Sequence, residues 1–254
     1  NLYFMTNNNI YFVANWKMYG NSRSLKALNN IKKLSGAKKY NKARIVYCPP
    51  YTLIDQFVKK FKNTNILIGA QNCHYKSDYG AYTGYVSTRM IKEAGSKFVI
   101  IGHSESRAEG DTDNKINMKI KNAIKSNLKV IFCVGESLKE KKNNSTNTVL
   151  RKQIFNGLKK INNLRNIFLA YEPIWSIGTG IVLETNKLRT QFITIKKLLK
   201  TKYKNQNFKV LYGGSVNPKN VKSLSEIDQL DGFLIGSASQ SEKKFIDIIK
   251  KTIN

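Results

Sequence analysis

Ile167-Phe168-Leu169-Ala170-Tyr171-Glu172-Pro173-Ile174-Trp175-Ser176-Ile177-Gly178-Thr179-Gly180 reads as a short apolar strand that ends on a carboxylate and runs straight into a segment built like a hinged lid. An apolar run without polar alternation belongs to a strand buried on both faces, the condition of a parallel sheet covered by helices. Similar runs recur at residues 10–14, 44–48, 66–70, 98–101, 130–134, 208–212 and 232–235. Between them apolar residues return at helical spacing, as in Leu25, Leu28, Ile31 and Leu34, then Ile116, Ile120 and Ile124, then Phe192, Ile195 and Leu199. Each such segment turns one apolar face to a sheet. Eight strand–helix repeats in 254 residues predict an α/β fold closed into a (β/α)8 barrel. No linker or composition break divides the chain, so one domain is expected over residues 5–254. Residues 1–4, ahead of Met5, have the character of a leftover engineered protease-cleavage site and are set aside.

Composition bounds the function. Hydrophobic residues make up 41%, enough for a sizeable core, and no apolar run approaches the ~18 residues of a membrane span. A soluble cytoplasmic protein is expected. Cys48, Cys73 and Cys133 are too few and too scattered for a disulfide framework or a zinc site, so reduced, buried thiols are expected. The net charge is +28, from 44 basic and 16 acidic residues. The lysines are spread over nearly every polar face among many asparagines, without a basic block interleaved with aromatics. That pattern predicts no dedicated nucleic-acid or membrane partner. It does favour anionic small molecules, whose on-rate such a field raises by about 10–10³ at low salt.

In a barrel of this kind the reacting groups sit just after the carboxyl ends of the strands. Asn15-Trp16-Lys17 follows the first strand, Gly102-His103-Ser104-Glu105 the fourth and Glu172 the sixth. Gly213-Gly214-Ser215 follows the seventh and Gly236-Ser237 the eighth. The last two are turns whose free backbone N–H groups can hold a phosphate. Lys17 brings a positive charge for a phosphate or a developing oxyanion. His103 can donate to a carbonyl oxygen while Glu172 takes a proton from the adjacent carbon. His74 has no comparable setting and is read as structural. No metal cluster, P-loop or dinucleotide fingerprint occurs, so side chains alone must do the chemistry, with no cofactor.

Taken together, Ala14-Asn15-Trp16-Lys17-Met18, Gly69-Ala70-Gln71-Asn72, Gly102-His103-Ser104-Glu105, Cys133-Val134-Gly135-Glu136, Tyr171-Glu172-Pro173-Ile174-Trp175 with Gly178-Thr179-Gly180, Tyr212-Gly213-Gly214-Ser215-Val216 and Asp231-Gly232-Phe233-Leu234-Ile235-Gly236 resemble the triosephosphate isomerases from Asn9 onward. The resemblance implies a TIM barrel that interconverts dihydroxyacetone phosphate and D-glyceraldehyde 3-phosphate through an enediolate, in glycolysis and gluconeogenesis. It implies Glu172 as base, His103 as electrophile, and Lys17 with Asn15 as stabilisers of negative charge. It further implies a lid of Pro173, Ile174, Trp175, Ser176, Ile177, Gly178 and Thr179, latched with help from Tyr212, and a phosphate site of Gly178, Ser215, Gly236 and Ser237. A homodimer is implied too, with loop 71–87 entering the partner and Thr83 reaching toward the partner's Asn15 and Lys17.

Three positions depart from the family pattern. Ser106 replaces the first of two arginines, Tyr85 replaces an acidic residue, and Ser237 stands where a second glycine is common. None removes a reacting group. Other readings are another phosphate-binding barrel enzyme, a protein whose basic surface binds nucleic acid or anionic membrane, and an inert barrel scaffold.

Overall fold

The computed structural model describes residues 9–76, 78–180, 183–204 and 206–253. Residues 1–4, Met5 and Asn254 lie outside these, as does position 77 of the expected interface loop. Eight strands, β1 (Ile10–Asn15), β2 (Ala43–Cys48), β3 (Leu67–Ala70), β4 (Phe98–Ile101), β5 (Lys129–Val134), β6 (Ile167–Tyr171), β7 (Lys209–Tyr212) and β8 (Gly232–Ile235), form a closed barrel in chain order. Every neighbouring pair is parallel, including β1 with β8. The helices are α1 (Asn29–Gly36), α2 (Ile54–Lys60), α3 (Thr88–Glu93), α4 (Ser104–Ala108), α5 (Asp113–Lys125), α6 (Leu138–Lys142), α7 (Thr146–Gly157), α8 (Thr185–Lys202), α9 (Val221–Ser225) and α10 (Glu242–Ile253).

Alternation along the strands creates two cores. Val13, Val46, Cys48, Ile100, Ile131, Cys133, Ala170, Leu211 and Leu234 belong to one cluster, the filling of the barrel interior, which is a packed core and not a channel. Its amino-terminal end is plugged by Tyr11, Phe98 and Phe168, with ring centroids 4.7 Å apart for Tyr11–Phe168 and 5.5 Å for Phe98–Phe168. The intervening strand residues, such as Phe12, Ile45, Val99 and Leu169, pack outward against the helices. The expected apolar stripes are where these helices meet the sheet: Ile116 and Ile120 on α5, and Phe192, Ile195 and Leu199 on α8, are all buried.

The expected single helix through Leu25, Leu28, Ile31 and Leu34 is instead broken. A 3₁₀ turn, Ser22–Ala27, is capped by Asn21, whose side chain accepts from the Arg23 and Ser24 backbone N–H groups, and α1 starts only after Leu28. The break exposes the first turn of α1 to Glu242 of α10. Its carboxylate accepts from the Ile31 N–H at 2.8 Å and the Asn30 amide at 2.9 Å. A tertiary contact thus supplies the acidic N-terminal partner that α1 lacks in its own sequence.

Helix α7 meets the sheet through Gly157. A Cβ there would lie 2.3 Å from Cζ of Phe132. Alanine is the better helix former by up to about 1 kcal/mol, but overpacking costs about 1–3 kcal/mol. Gly157→Ala should therefore lower the midpoint of urea unfolding; a raised midpoint would show that Phe132 has room to move.

Candidate active site

The barrel brings the predicted rim residues together. Asn15, Lys17, His103, Glu172, Gly178, Ser215, Gly236 and Ser237 all line one cavity of about 200 Å³ at the carboxyl ends of the strands, shared with Tyr19, Ile177, Gly213, Gly214 and Gln240. Ser237 stays exposed at its mouth. Thr83 does not line it and lies exposed in loop 71–87. Among the described residues no cluster of histidine, cysteine, aspartate or glutamate is arranged to hold a metal ion.

Glu172 follows β6 directly and is buried, only 2% exposed. Its backbone N–H donates to Val134 O at 2.8 Å, tying the residue to β5. Burial pushes the Glu172 carboxyl above its ordinary 4.5; the opposing influences, in falling order, are His103, the Cys133 thiol hydrogen bond, Lys17 and the Ser104 backbone N–H. The His103 Nε2 atom stands 3.3 Å from Glu172 Oε1. His103 Nδ1 accepts the Glu105 backbone N–H at 3.3 Å, which assigns the ring proton to Nε2, facing the carboxylate. Glycine at 213 is required beneath the pair, since a Cβ there would lie 2.6 Å from Glu172 Cγ.

Lys17 holds a left-handed backbone, φ +55, a conformation costing about 1–2 kcal/mol for a residue with a Cβ. Three contacts hold it. Its N–H donates to Asn15 Oδ1 at 3.0 Å, and its carbonyl accepts the Gln71 amide at 2.7 Å. The same Gln71 amide donates to Cys48 O at 2.9 Å, and Lys17 Nζ pairs with Glu105 Oε1 at 2.5 Å. The sequence reading gave Gln71 only its place in a motif and the start of the expected interface loop. Nothing in its chemistry announces a lysine carbonyl far away in sequence as its target.

The expected lid has a firm first half and an open second half. Pro173 is buried and Ile174–Ser176 form a 3₁₀ turn, while residues 178–180 are exposed. The Trp175 indole N–H donates to Glu136 Oε1 at 2.8 Å, and the Tyr171 hydroxyl donates to the same buried carboxylate. Lys141 of α6 sits 3.3 Å from the centre of the Trp175 ring. The Ser176 and Tyr212 hydroxyls lie 3.4 Å apart, and Ser215 N–H donates to Ser176 Oγ. Gly214 makes room for this meeting, as a Cβ there would lie 2.3 Å from the Tyr212 hydroxyl. Glu136 and Lys141 as partners of Trp175 went unread in sequence, because both are ordinary charged residues of loop and helix until Trp175 is placed.

The departures have local explanations. Ser106 accepts the Asn72 amide at 3.3 Å, and Arg107 remains to bind Asp113 at 2.8 Å and the carbonyl of Gly102 at 2.9 Å. Tyr85 packs on His74, 4.5 Å between rings, in a cluster with Tyr75 and Tyr82.

Residues 10–252 match the family model described as triosephosphate isomerase. The chain belongs to the triosephosphate isomerase family. The isomerase of Thermodesulfovibrio yellowstonii is 41% identical over 243 residues, covering 94% of this chain and 98% of that protein. That of Alkaliphilus oremlandii is 39% identical over 242 residues, covering 93% and 96%. The crystal structure of triosephosphate isomerase from Bartonella henselae superposes with a TM-score of 0.87 at 33% identity, covering 96% of this chain and 98% of that one. The family is the standard example of a glutamate base beside a neutral imidazole.

The buried carboxyl has a consequence for stability. With its folded pKa raised above the unfolded value, the folded protein binds this proton more tightly, so stability falls as pH rises from about 4.5 to the raised value. The cost persists at all higher pH. Glu172→Gln should melt above the wild type at pH 8, with the gap closing toward pH 4 in thermal denaturation. A gap that is absent, or grows on acidification, would contradict burial as the dominant influence.

Proposed function

We propose that the protein interconverts dihydroxyacetone phosphate and D-glyceraldehyde 3-phosphate. The observation that carries this is the buried Glu172 carboxylate 3.3 Å from His103 Nε2, in a small pocket shared with Lys17 and Asn15. Glu172 removes a proton from the carbon next to the carbonyl while His103 Nε2–H donates to the carbonyl oxygen. The electron pair becomes an enediolate, stabilised by the Lys17 ammonium and the Asn15 amide. His103 gives its Nε2 proton to the first oxygen and takes the hydroxyl proton of the second, and Glu172 returns its proton to the carbon that bore the carbonyl, so the carbonyl has moved by one carbon. A carboxylate stripped of water is a stronger base than a solvated one, which suits abstraction from carbon.

The phosphate would rest on Gly178, Ser215, Gly236 and Ser237. The lid, residues 173–179, would then swing over it and exclude water from the enediolate, suppressing phosphate loss. No cofactor enters these steps. We place the protein in the cytoplasm; among the described residues no helix is long and apolar enough to cross a membrane.

A homodimer is part of the proposal. Tyr79, Tyr82 and Tyr85 are exposed in loop 71–87, and Met18, next to Lys17, is 94% exposed. A cavity of about 540 Å³ lined by Tyr51, Asn72, His74, Tyr85, Glu105 and Lys119 lies on the same side. One surface thus carries both a projecting aromatic loop and a recess, as a two-fold contact requires. The recess reaches Glu105, which holds Lys17, and Thr83 would enter the partner's recess from the loop.

Coupled assay of dihydroxyacetone phosphate turnover tests the reaction, with Glu172→Gln purified in parallel to expose contaminating host isomerase. Glu172→Asp retracts the carboxylate by about 1 Å and should cost on the order of 10²-fold in kcat with the fold intact; near-normal turnover would remove Glu172 from the role of base. If the recess needs a partner's loop, specific activity should fall on dilution together with the dimer fraction seen by light scattering. Full activity in a monomer would refute the dimer requirement.

A further inference from the structure

At the end of the barrel opposite Glu172, a concavity of about 840 Å³ opens around the start of the strands. Lys129, Arg165, Lys196 and Lys209 line it, with Asp231 the one carboxylate among the lining residues. The first residues of β5 and β7 are both lysines, and the sheet register sets them beside Phe98 and Phe168. The aromatic plug lies directly below: Lys209 Nζ is 5.4 Å from the Tyr11 ring centre, and Lys129 Nζ is 5.5 Å from that of Phe98. These contacts restrain two ammonium groups over a floor of buried aromatic rings.

The charge there is not balanced locally. Asp231 is shared between Lys196 and Lys209, 3.7 Å from each, and also accepts the Val210 N–H at 2.9 Å. Among the described residues no ion pair engages Lys129 or Arg165. The wall is preformed as well. Gln206 accepts the Leu164 N–H and donates to Asn162 O, while the Tyr203 hydroxyl meets the carbonyls of Leu158 and Ile161. The loop carrying Arg165 is thereby pinned to the end of α8, so a ligand would meet an ordered site.

We propose that this amino-terminal mouth of the barrel is a binding site for a compact oligophosphate, with Lys129, Arg165, Lys196 and Lys209 as its cationic wall. The cavity exceeds what one phosphate group fills, and its four cations exceed what one phosphate neutralises. Nucleic acid fits less well, since Tyr11 and Phe168 are buried and Phe208 alone among the lining rings is partly exposed, so successive bases would have no run of faces to stack on. An anionic membrane fits less well because none of the exposed large hydrophobic residues lines the mouth.

Isothermal titration with tripolyphosphate tests the site, in the presence of saturating glycerol 3-phosphate to occupy the rim pocket. Saturable binding of one tripolyphosphate per chain is expected. The double variant Lys129→Ala/Arg165→Ala should weaken it about tenfold, or by about 1.4 kcal/mol. The control Lys32→Ala/Lys33→Ala removes two exposed charges of α1 and should change it little, with isomerisation unchanged in both. Should the double variant misfold, Arg165→Gln alone, in an exposed loop position, must weaken binding. Equal weakening in basal variant and control would assign the binding to the general field of the protein. Absence of saturation, or loss of binding once glycerol 3-phosphate is added, would overturn the proposal. So would an oligonucleotide that displaces tripolyphosphate and loses more affinity in the basal variant, which would make the mouth a nucleic-acid surface.

Discussion

Taking a carboxylate out of water is among the costliest things a fold can do, and the carboxyl-terminal rim is arranged around that cost at Glu172. The residue sits just past the last rung of β6, fixed by its backbone bond to Val134, so the side chain cannot retreat to solvent without undoing that bond to β5. Partial compensation comes from groups delivered by other strands: His103 after β4, Cys133 on β5, Lys17 after β1 and the Ser104 N–H at the head of α4. Parallel strands closed into a barrel are what put four such donors within reach of one acid. An open sheet would leave its two edge strands unable to contribute to the same point.

A second buried carboxylate, Glu136, stands one strand away and is treated differently. It accepts from the Tyr171 hydroxyl and from the Trp175 indole, and its backbone carbonyl takes the Ile174 N–H. These donors belong to residues 171–175, the segment on either side of Glu172. The two acids thus differ in kind: Glu172 is left underpaired, with its carboxyl pushed up by burial, while Glu136 is satisfied by the donors around it. Lys141 over the Trp175 ring adds a contact that lid movement would have to break.

The strands were legible almost to the residue, with β4, β6 and β8 beginning and ending where the apolar runs do, because burial on both faces leaves a continuous signal. The residues that gather at the rim pocket were legible because barrel topology names their positions once the strands are known. What escaped depended on partners far apart in sequence. The break at Leu28 answers to Glu242 of α10, the left-handed Lys17 to Gln71, and the placement of Trp175 to Glu136. Lys119, buried with Asp111 at 2.6 Å and Asn72 at 2.9 Å, is another such case. In a chain this rich in lysine, no local pattern separates a buried lysine from a solvated one. The three thiols, by contrast, were read correctly as free and buried, since each falls in or beside an apolar run.

The excess of positive charge does not act equally everywhere, because the acids are few and their placement decides where the field survives. Glu105 pairs with Lys17 at the rim, so the lysine nearest the reacting groups has a carboxylate beside it before any substrate arrives. An incoming phosphate dianion must share Lys17 with that carboxylate. Its attraction to the rim then owes more to the backbone N–H groups of the glycine turns and to distant lysines than to this one contact. On the proposed mechanism the pairing has a use of its own: it would hold the ammonium where negative charge develops, at the price of part of its attraction for the ground state. A charge that meets the transition state more fully than the substrate favours catalysis, and under the proposed mechanism the left-handed backbone at Lys17 would be strain that serves that end.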